Sequence, residues 1–355
     1  MLRLKRWLGW LMLSLVTTGL VIGCGFGATQ TSDNSPTVSS SDCRVVQHDV
    51  GEAEICGQPQ KVAALSAYTL NLLLSLEQQP TGYAPPLVTL GEVFDNPTQQ
   101  IPYLGEFITT QPVNLGTDGA PSLEKLTALK PDLIVAEGNN NASNYDLLSQ
   151  IAPTILWQTR GLPGQWQQNL RSLALALGNG EQADTVIQQY EANVAKARED
   201  LADVVAAHPK LLLIAAQRLD ERFGIFNQDS DLVELLSGVG FQLVSPPDSI
   251  DLNGPISVEA LPMLDEADNI IVLGYDPSGD QAQKSSAIDE SASERTEKSQ
   301  TQLIRQDWEA SAIAQSLTAS QENRVFFATF YKWNGINGPI GAELVLEQLR
   351  QFFLG

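Results

Sequence analysis

The chain has 355 residues, 42 Asp and Glu against 21 Lys and Arg, a formal net charge of −21 and 43% hydrophobic residues. Hydrophobic content at that level is normal for a globular chain and predicts a sizeable core. The acidic balance gives a surface that repels nucleic acid and anionic lipid.

Arg3, Lys5 and Arg6 precede a run from Trp7 to Ile22 without a single charge, and a small residue follows. That is the pattern of an export signal. The run is short for a membrane span, which needs ~20 apolar residues. Its end, Val21-Ile22-Gly23-Cys24, resembles the lipobox of bacterial lipoproteins, in which the peptidase cuts before the cysteine and the thiol carries a diacylglycerol. An ordinary signal peptide with a chance cysteine is the alternative. On the lipoprotein reading, residues 1–23 are the signal peptide and Cys24 is the lipidated residue. A single acyl chain anchors marginally, so a further amide-linked chain on Cys24 would be needed for stable attachment. Loss of Arg3, Lys5 and Arg6 leaves about 330 residues and a charge of about −24, enough chain for two ordinary domains or one large one.

Residues 24–42 read as lipid anchor and flexible tether. The stretch GFGATQTSDNSPTVSSS (25–41) is small and polar, with an r.m.s. reach of roughly 20–25 Å. Order is expected to begin near Cys43. With Cys24 lipidated, Cys43 and Cys56 remain, and an even pair in an oxidising compartment reads as one disulfide, contributing ~3 kcal/mol by loop closure. The alternative, a metal site, has only His48 as a third soft ligand, and two thiols with one imidazole do not complete a zinc shell.

Short apolar runs then alternate with longer amphipathic ones. Strands are predicted in KVAALSA (61–67), PDLIVAE (131–137), PTILWQ (153–158), KLLLIAA (210–216), FQLVS (241–245), NIIVLG (269–274) and NRVFFATF (323–330). Several are apolar throughout, as strands covered on both faces by helices are, which predicts an α/β architecture. SLEKLTALKPDLIVA (122–136) and SVEALPMLDEADNIIVL (257–273) share Ser-x-Glu-x-Leu-x-x-Leu, an Asp and a buried strand, with Pro121 and Pro255 just before them. The order strand, helix, turn, strand also occurs earlier in each half. Two lobes of related topology are expected.

Between the halves, residues 181–208 contain no Gly or Pro, and Ala183, Ile187, Tyr190, Val194, Ala197, Leu201 and Val204 recur at helical spacing. One helix about 40 Å long is predicted, closed by Pro209. The expected domains are an N-terminal lobe over 43–180, the inter-lobe helix 181–208 and a C-terminal lobe over 209–355. The segment DPSGDQAQKSSAIDESASERTEKSQ (276–300) is polar and reads as a mobile surface loop without an assigned role.

A lipid anchor, two α/β lobes and a connecting helix resemble the substrate-binding proteins of bacterial ABC importers, and within them the iron–siderophore and cobalamin class, which uses a rigid helix between lobes. The residues that carry the likeness are CRVVQHDVGEAEICGQPQKVAAL (43–65), LEKLTALKPDLIVAE (123–137), ISVEALPMLDEADNIIV (256–272) and WNGINGPIGAELVLEQL (333–349). Together they span nearly all of the mature chain. Where the first helix of that family usually ends in a Leu-Gly turn, this chain reads Leu76-Glu77-Gln78-Gln79-Pro80. The resemblance implies two Rossmann-like α/β lobes with a ligand cleft between them and only small closing rotations. It also implies that Glu124 and Glu259 dock into arginines of the permease. A Glu in a first helical turn after a Ser cap also stabilises the helix dipole, and the two roles are compatible.

An iron–siderophore complex already saturates its metal with oxygen donors, so the protein need not supply metal ligands. Aromatic walls and a few cationic or amide donors suffice, and arginine pairs two oxygens at once. Ligands of open α/β sheets sit at the carboxyl ends of strands. That rule selects Tyr68, Asn139, Asn140, Tyr145, Trp157 and Arg160 in the first lobe, and Arg218, Arg222, Phe223, Tyr275, Tyr331 and Trp333 in the second. For each aromatic, core burial is the alternative. The arginines lean towards ligands with free carboxylates. His48 and His208 are the only histidines and lie far apart in the sequence, which disfavours bare-metal chelation and histidine ligation of haem or cobalamin.

No Gly-x-Ser-x-Gly elbow, phosphate loop or HExxH is present, and no enzymatic activity or cofactor is expected. A carboxylate hydrolase would need two carboxyls converging in the cleft, and an adhesion module would lack a ligand cleft. The reading is a lipid-anchored, monomeric solute-binding protein of the cell envelope that takes a ferric siderophore to an importer, with cobalamin or haem as the alternative ligand.

Overall fold

The computed structural model describes residues 43–86, 93–219, 221–226, 229–250, 256–276 and 290–355. The expected signal peptide, Cys24 and tether lie outside these residues. The chain begins with a hairpin, β1 (Cys43–His48) and β2 (Gly51–Cys56), in which Cys43 faces Cys56 and a disulfide joins them. The hairpin is pinned to the first lobe through its turn. The Asp49 N–H donates to the Leu156 carbonyl (3.1 Å), and the Asp49 carboxylate accepts from the Gln158 N–H (2.7 Å).

The first lobe runs β3 (Val62–Ala64), α1 (Ala67–Ser75), β4 (Pro80–Tyr83), α2 (Pro97–Gln100), β5 (Val113–Asn114), β6 (Gly116–Thr117), β7 (Ala120–Pro121), α3 (Leu123–Leu129), β8 (Leu133–Glu137), α4 (Gly138–Ser143), α5 (Tyr145–Ile151), β9 (Thr154–Trp157) and α6 (Gln165–Leu177). Its sheet is parallel throughout, in the order β5-β4-β3-β8-β9. The strand expected over 61–67 stops at Ala64 because Ser66 starts a helix. Its hydroxyl accepts from the Thr69 N–H (3.0 Å), while Thr69 Oγ1 accepts from the Ser66 N–H (3.0 Å), a reciprocal cap that satisfies two donors the first turn leaves open.

The single helix expected over 181–208 is two helices, α7 (Gly180–Asp200) and α8 (Ala202–Ala207), meeting at Leu201. Leu201 is fully buried in the second lobe's core beside Leu211 and Leu213, and turning it inward bends the chain towards the next strand. The apolar stripe of α7 divides between lobes. Ala183 and Ile187 belong to the first core, Ala197 to the second, and Tyr190 touches both. At 1.5 Å per residue its 21 residues make a rod of about 30 Å.

The second lobe runs β10 (Lys210–Ala216), β11 (Phe223–Phe226), α9 (Asp231–Val239), β12 (Gln242–Leu243), a 3₁₀ helix (Val258–Leu264), β13 (Asn269–Gly274), α10 (Ala292–Ala310), α11 (Ala312–Gln315), α12 (Thr318–Gln321), β14 (Val325–Thr329), a wide π-type turn (Tyr331–Gly335) and α13 (Pro339–Leu354). Its order is β11-β10-β13-β14, with β12 beside the start of β10. Only β11 is antiparallel. The two copies of the sequence repeat diverge here. The first forms an α-helix, the second a 3₁₀ helix, because Pro262 has no N–H to give the Val258 carbonyl.

The loop expected over 276–300 ends earlier than its composition suggests. Ser291 and Glu294 form a capping box that opens α10, so residues 291–300 are cap and helix. Residues 277–289 lie outside the described set. No helix among the described residues is long and apolar enough to cross a membrane.

Candidate functional site

Each lobe has a hollow at the carboxyl ends of its central strands, where parallel sheets open towards ligands. In the first lobe, β8 ends at Glu137 and the chain turns at once into α4, which carries Asn139, Asn140 and Asn141. With Asp118, Gln158 and Arg160 these residues line a hollow of about 450 Å³. Glu137 is nearly buried, with a side chain 10% exposed, and Arg160 reaches it with Nη1 2.9 Å from Oε1. Burial pushes the Glu137 carboxyl up, and the Arg160 charge and a hydrogen bond from Ser66 hold against that rise. Asp118 is also raised by burial, opposed by the Gly119 N–H and by Arg160.

Asn141 is the best-anchored side chain of this wall. Its Nδ2 donates to the carbonyls of Asp118 (2.9 Å) and Glu137 (2.8 Å), which fixes which end of the amide is nitrogen. Its Oδ1 is buried without a hydrogen-bond partner among the described residues.

The second hollow, about 380 Å³, lies where β10, β13 and β14 end. Its walls are mainly apolar: Ala215, Ala216, Phe223, Tyr275 and Phe330, with Gln217 and Arg222 as its polar groups. Tyr275, 44% exposed, stands edge-on to Phe330 at 5.2 Å. Arg222 is exposed and has no ion pair among the described residues.

The strip 330–335 joins the two hollows. Phe330 lines the second, the next residue Tyr331 is buried in the first lobe's core, and the Gly335 carbonyl accepts from Arg160 Nη1 at 3.1 Å. A polar cluster ties the lobes beside this strip. The Tyr103 hydroxyl donates to Glu297 Oε2 (2.9 Å) and lies 3.1 Å from Thr329 Oγ1. Lys332 pairs with Glu297 (3.0 Å), and Gln348 bridges Glu297 Oε1 and the Trp333 indole N–H.

Of the twelve residues selected from strand ends, Asn139, Asn140 and Arg160 line the first hollow, and Arg222, Phe223 and Tyr275 the second. The others lie elsewhere. Tyr68 and Trp157 stack edge-to-face in the first core (6.1 Å), where Asn169 donates to the Tyr68 hydroxyl (2.8 Å). Tyr145 meets His48 of the hairpin at 3.2 Å. Arg218 makes a two-pronged pair with Asp307 (2.6 and 3.0 Å). Tyr331 and Trp333 are buried. A strand end identifies the loop that meets a ligand, but the phase of the following helix decides which side chains face it. Asp118, Glu137, Asn141, Gln158, Gln217 and Phe330 escaped notice. Glu137 and Phe330 close predicted strands and were legible in principle, whereas Asp118 arrives from a two-strand turn with no sequence signal. Of the three arginines behind the lean towards free carboxylates, Arg160 and Arg218 each already hold a carboxylate, which leaves Arg222 in the second hollow.

Glu124 stands exposed in the first turn of α3. Glu259 is exposed at the start of the 3₁₀ helix, where its carboxylate accepts from the Ser257 hydroxyl. Among the described residues, the one group of candidate metal-binding side chains is Cys43, Glu54 and Cys56. Its two sulfurs are joined to each other, which leaves no thiolate to coordinate.

Two α/β lobes braced by one rod, each with a hollow facing the strip between them, define a two-lobed solute-binding protein. The chain belongs to the periplasmic binding protein family, whose model matches residues 62–331. It is similar to the probable siderophore-binding lipoprotein YfiY of Bacillus subtilis, 23% identical over 99% of both chains. The Fe(3+) dicitrate-binding periplasmic protein FecB of Escherichia coli is 24% identical over 89% of this chain and 92% of its own. Among solved structures, Staphylococcus aureus SirA complexed with staphyloferrin B superposes with a TM-score of 0.65 at 25% identity, covering 87% of this chain and 98% of SirA.

Proposed function

We propose that this protein is an extracytoplasmic solute-binding lipoprotein that captures a ferric siderophore and delivers it to the permease of an ABC importer. The observation that carries the reading is the pair of hollows at strand ends of opposite lobes, joined through residues 330–335. A polar, amide-rich wall on one lobe and an aromatic one on the other suit a chelate whose iron is already coordinated. The relatives' names, which carry ferric and siderophore ligands, support this over cobalamin or haem and over a carboxylate hydrolase. Asn139, Asn140, Arg160, Arg222, Phe223 and Tyr275 are the proposed ligand contacts, with Glu124 and Glu259 as the permease-facing pair and Cys24 as the lipidated residue of a monomer.

Tryptophan fluorescence of the purified protein, titrated with ferric siderophores, cobalamin and haem, tests the reading. Saturable quenching by one siderophore class is the expected result, and a response to cobalamin or haem alone overturns it. Charge reversal at Glu124 and Glu259 together is expected to abolish uptake and leave ligand binding intact.

A further inference from the structure

The two hollows differ in what they offer a ligand, and the difference rests on which charges are already spent. In the second hollow Arg222 has no carboxylate among the described residues and stands over aromatic and aliphatic walls. In the first, the one cation, Arg160, is held by Glu137 at 2.9 Å and by the Gly335 carbonyl at 3.1 Å. Asp118 is the carboxylate left over: burial raises its carboxyl, and the Gly119 N–H and the Arg160 charge hold against that rise. The same wall holds a second acceptor. The Asn141 amide cannot turn over, because its nitrogen serves two carbonyls, so its buried oxygen asks for a donor.

Resting on the siderophore reading, we propose that Asp118 sets the charge preference of the cleft. The first-lobe hollow receives a hydrogen-bond-donating, neutral or cationic arm of the ferric chelate, an ammonium or amide N–H, and disfavours a free carboxylate arm. An arm bearing a carboxylate would set acceptor against acceptor at Asp118 and Asn141. An ammonium arm gains a partner at Asp118, at a half-buried wall where a unit charge changes affinity by roughly tenfold.

The test uses the detergent-solubilised full chain and three probes read by tryptophan fluorescence: ferrioxamine B, a ferric trihydroxamate with a free ammonium arm; its N-acetylated form, which lacks that charge; and ferric dicitrate. The ammonium form is expected to bind about tenfold more tightly than the acetylated one. D118N is expected to erase that preference and to raise the affinity for ferric dicitrate. Should D118N fold poorly by circular dichroism, the wild type still decides, because the preference must shrink as salt is added. Equal or tighter binding of the acetylated form overturns the proposal, as does a preference that survives in D118N. So does binding of ferric dicitrate alone that D118N does not improve. Those results leave the siderophore reading standing, whereas absence of binding by every ferric chelate removes that reading and the proposal with it.

Discussion

The buried side chain of Asn71 on α1 holds the turn at Asn337, which leads into the closing helix: Asn71 Nδ2 donates to the Asn337 carbonyl at 2.6 Å, while Oδ1 accepts from the Ile340 N–H at 3.2 Å. The turn between them is open only to glycine. Gly338 has φ +114°, and a Cβ there would sit 2.8 Å from Asn71 Nδ2. One amide of the first lobe thus supplies both a donor and an acceptor to the end of the chain.

Asn71→Leu, close in volume, is expected to leave that carbonyl and N–H unpaired and to cost ~2–3 kcal/mol. Urea denaturation followed by circular dichroism measures it. Gly338→Ala is expected to destabilise as well, through both backbone strain and the contact with Asn71. Wild-type stability in both variants would remove the clamp from this account.

Stability is expected to fall with rising pH because of Asp231. Burial, with Glu234 nearby, pushes its carboxyl from 3.8 up to about 7. Neither oxygen has a hydrogen-bond partner among the described residues, and it borders a cavity of about 20 Å³ lined also by Trp166, Tyr190 and Trp333, room for about one water. Between the unfolded value and about 7 the folded chain keeps a proton that the unfolded chain has lost. Stability is therefore highest below that window, declines through it and levels off above it. Asp231→Asn is expected to flatten this contribution and to be more stable by a few kcal/mol at pH 8. Urea midpoints of both proteins from pH 4 to 8 check the sign.

Glu77→Gly is expected to stabilise. Glu77 has φ +58° and ends α1 in a Schellman turn, with the Gln78 N–H on the Leu73 carbonyl (3.2 Å) and the Glu77 N–H on that of Leu74 (2.9 Å). This is the place of the Leu-Gly turn missing from the sequence: the turn is made, with a residue that carries a Cβ. Removing that Cβ is expected to gain ~1 kcal/mol, read as a rise in the thermal midpoint.

Tyr103→Phe and Glu297→Gln are expected to differ in size. The first removes one hydroxyl from the cluster beside the lobe-joining strip and is expected to cost ~1 kcal/mol. The second leaves Lys332, 12% exposed, without its carboxylate, at ~2–3 kcal/mol. A double-mutant cycle with Lys332→Met isolates the pair.

The interior strands were legible because each is a short, unbroken apolar run; PDLIVAE and NIIVLG became β8 and β13 with boundaries close to those read from the chain. Short strands without an apolar run were not. PTGY forms β4, between β5 and β3, although it begins with Pro and contains Gly, and FGIF forms β11, an antiparallel edge with one exposed glycine. Neither has a pattern that separates it from loop, and each is held by its neighbour in the sheet. Tyr68 shows the same limit at the site. It follows a strand as a ligand contact would, but the helix that Ser66 caps turns it into the core.

The order of apolar runs, the Ser-capped helix starts and the stripe from Ala183 to Ala197 determined two α/β halves and a rod between them, though not its break at Leu201, because burial and backbone hydrogen bonding act through local periodicity that sequence carries. Which charges remain available in the cleft was decided only by tertiary structure. Glu137 neutralises Arg160, and Asp307 engages Arg218, across 23 and 89 residues of chain. Charge cancellation depends on distance in space, and no linear spacing encodes it.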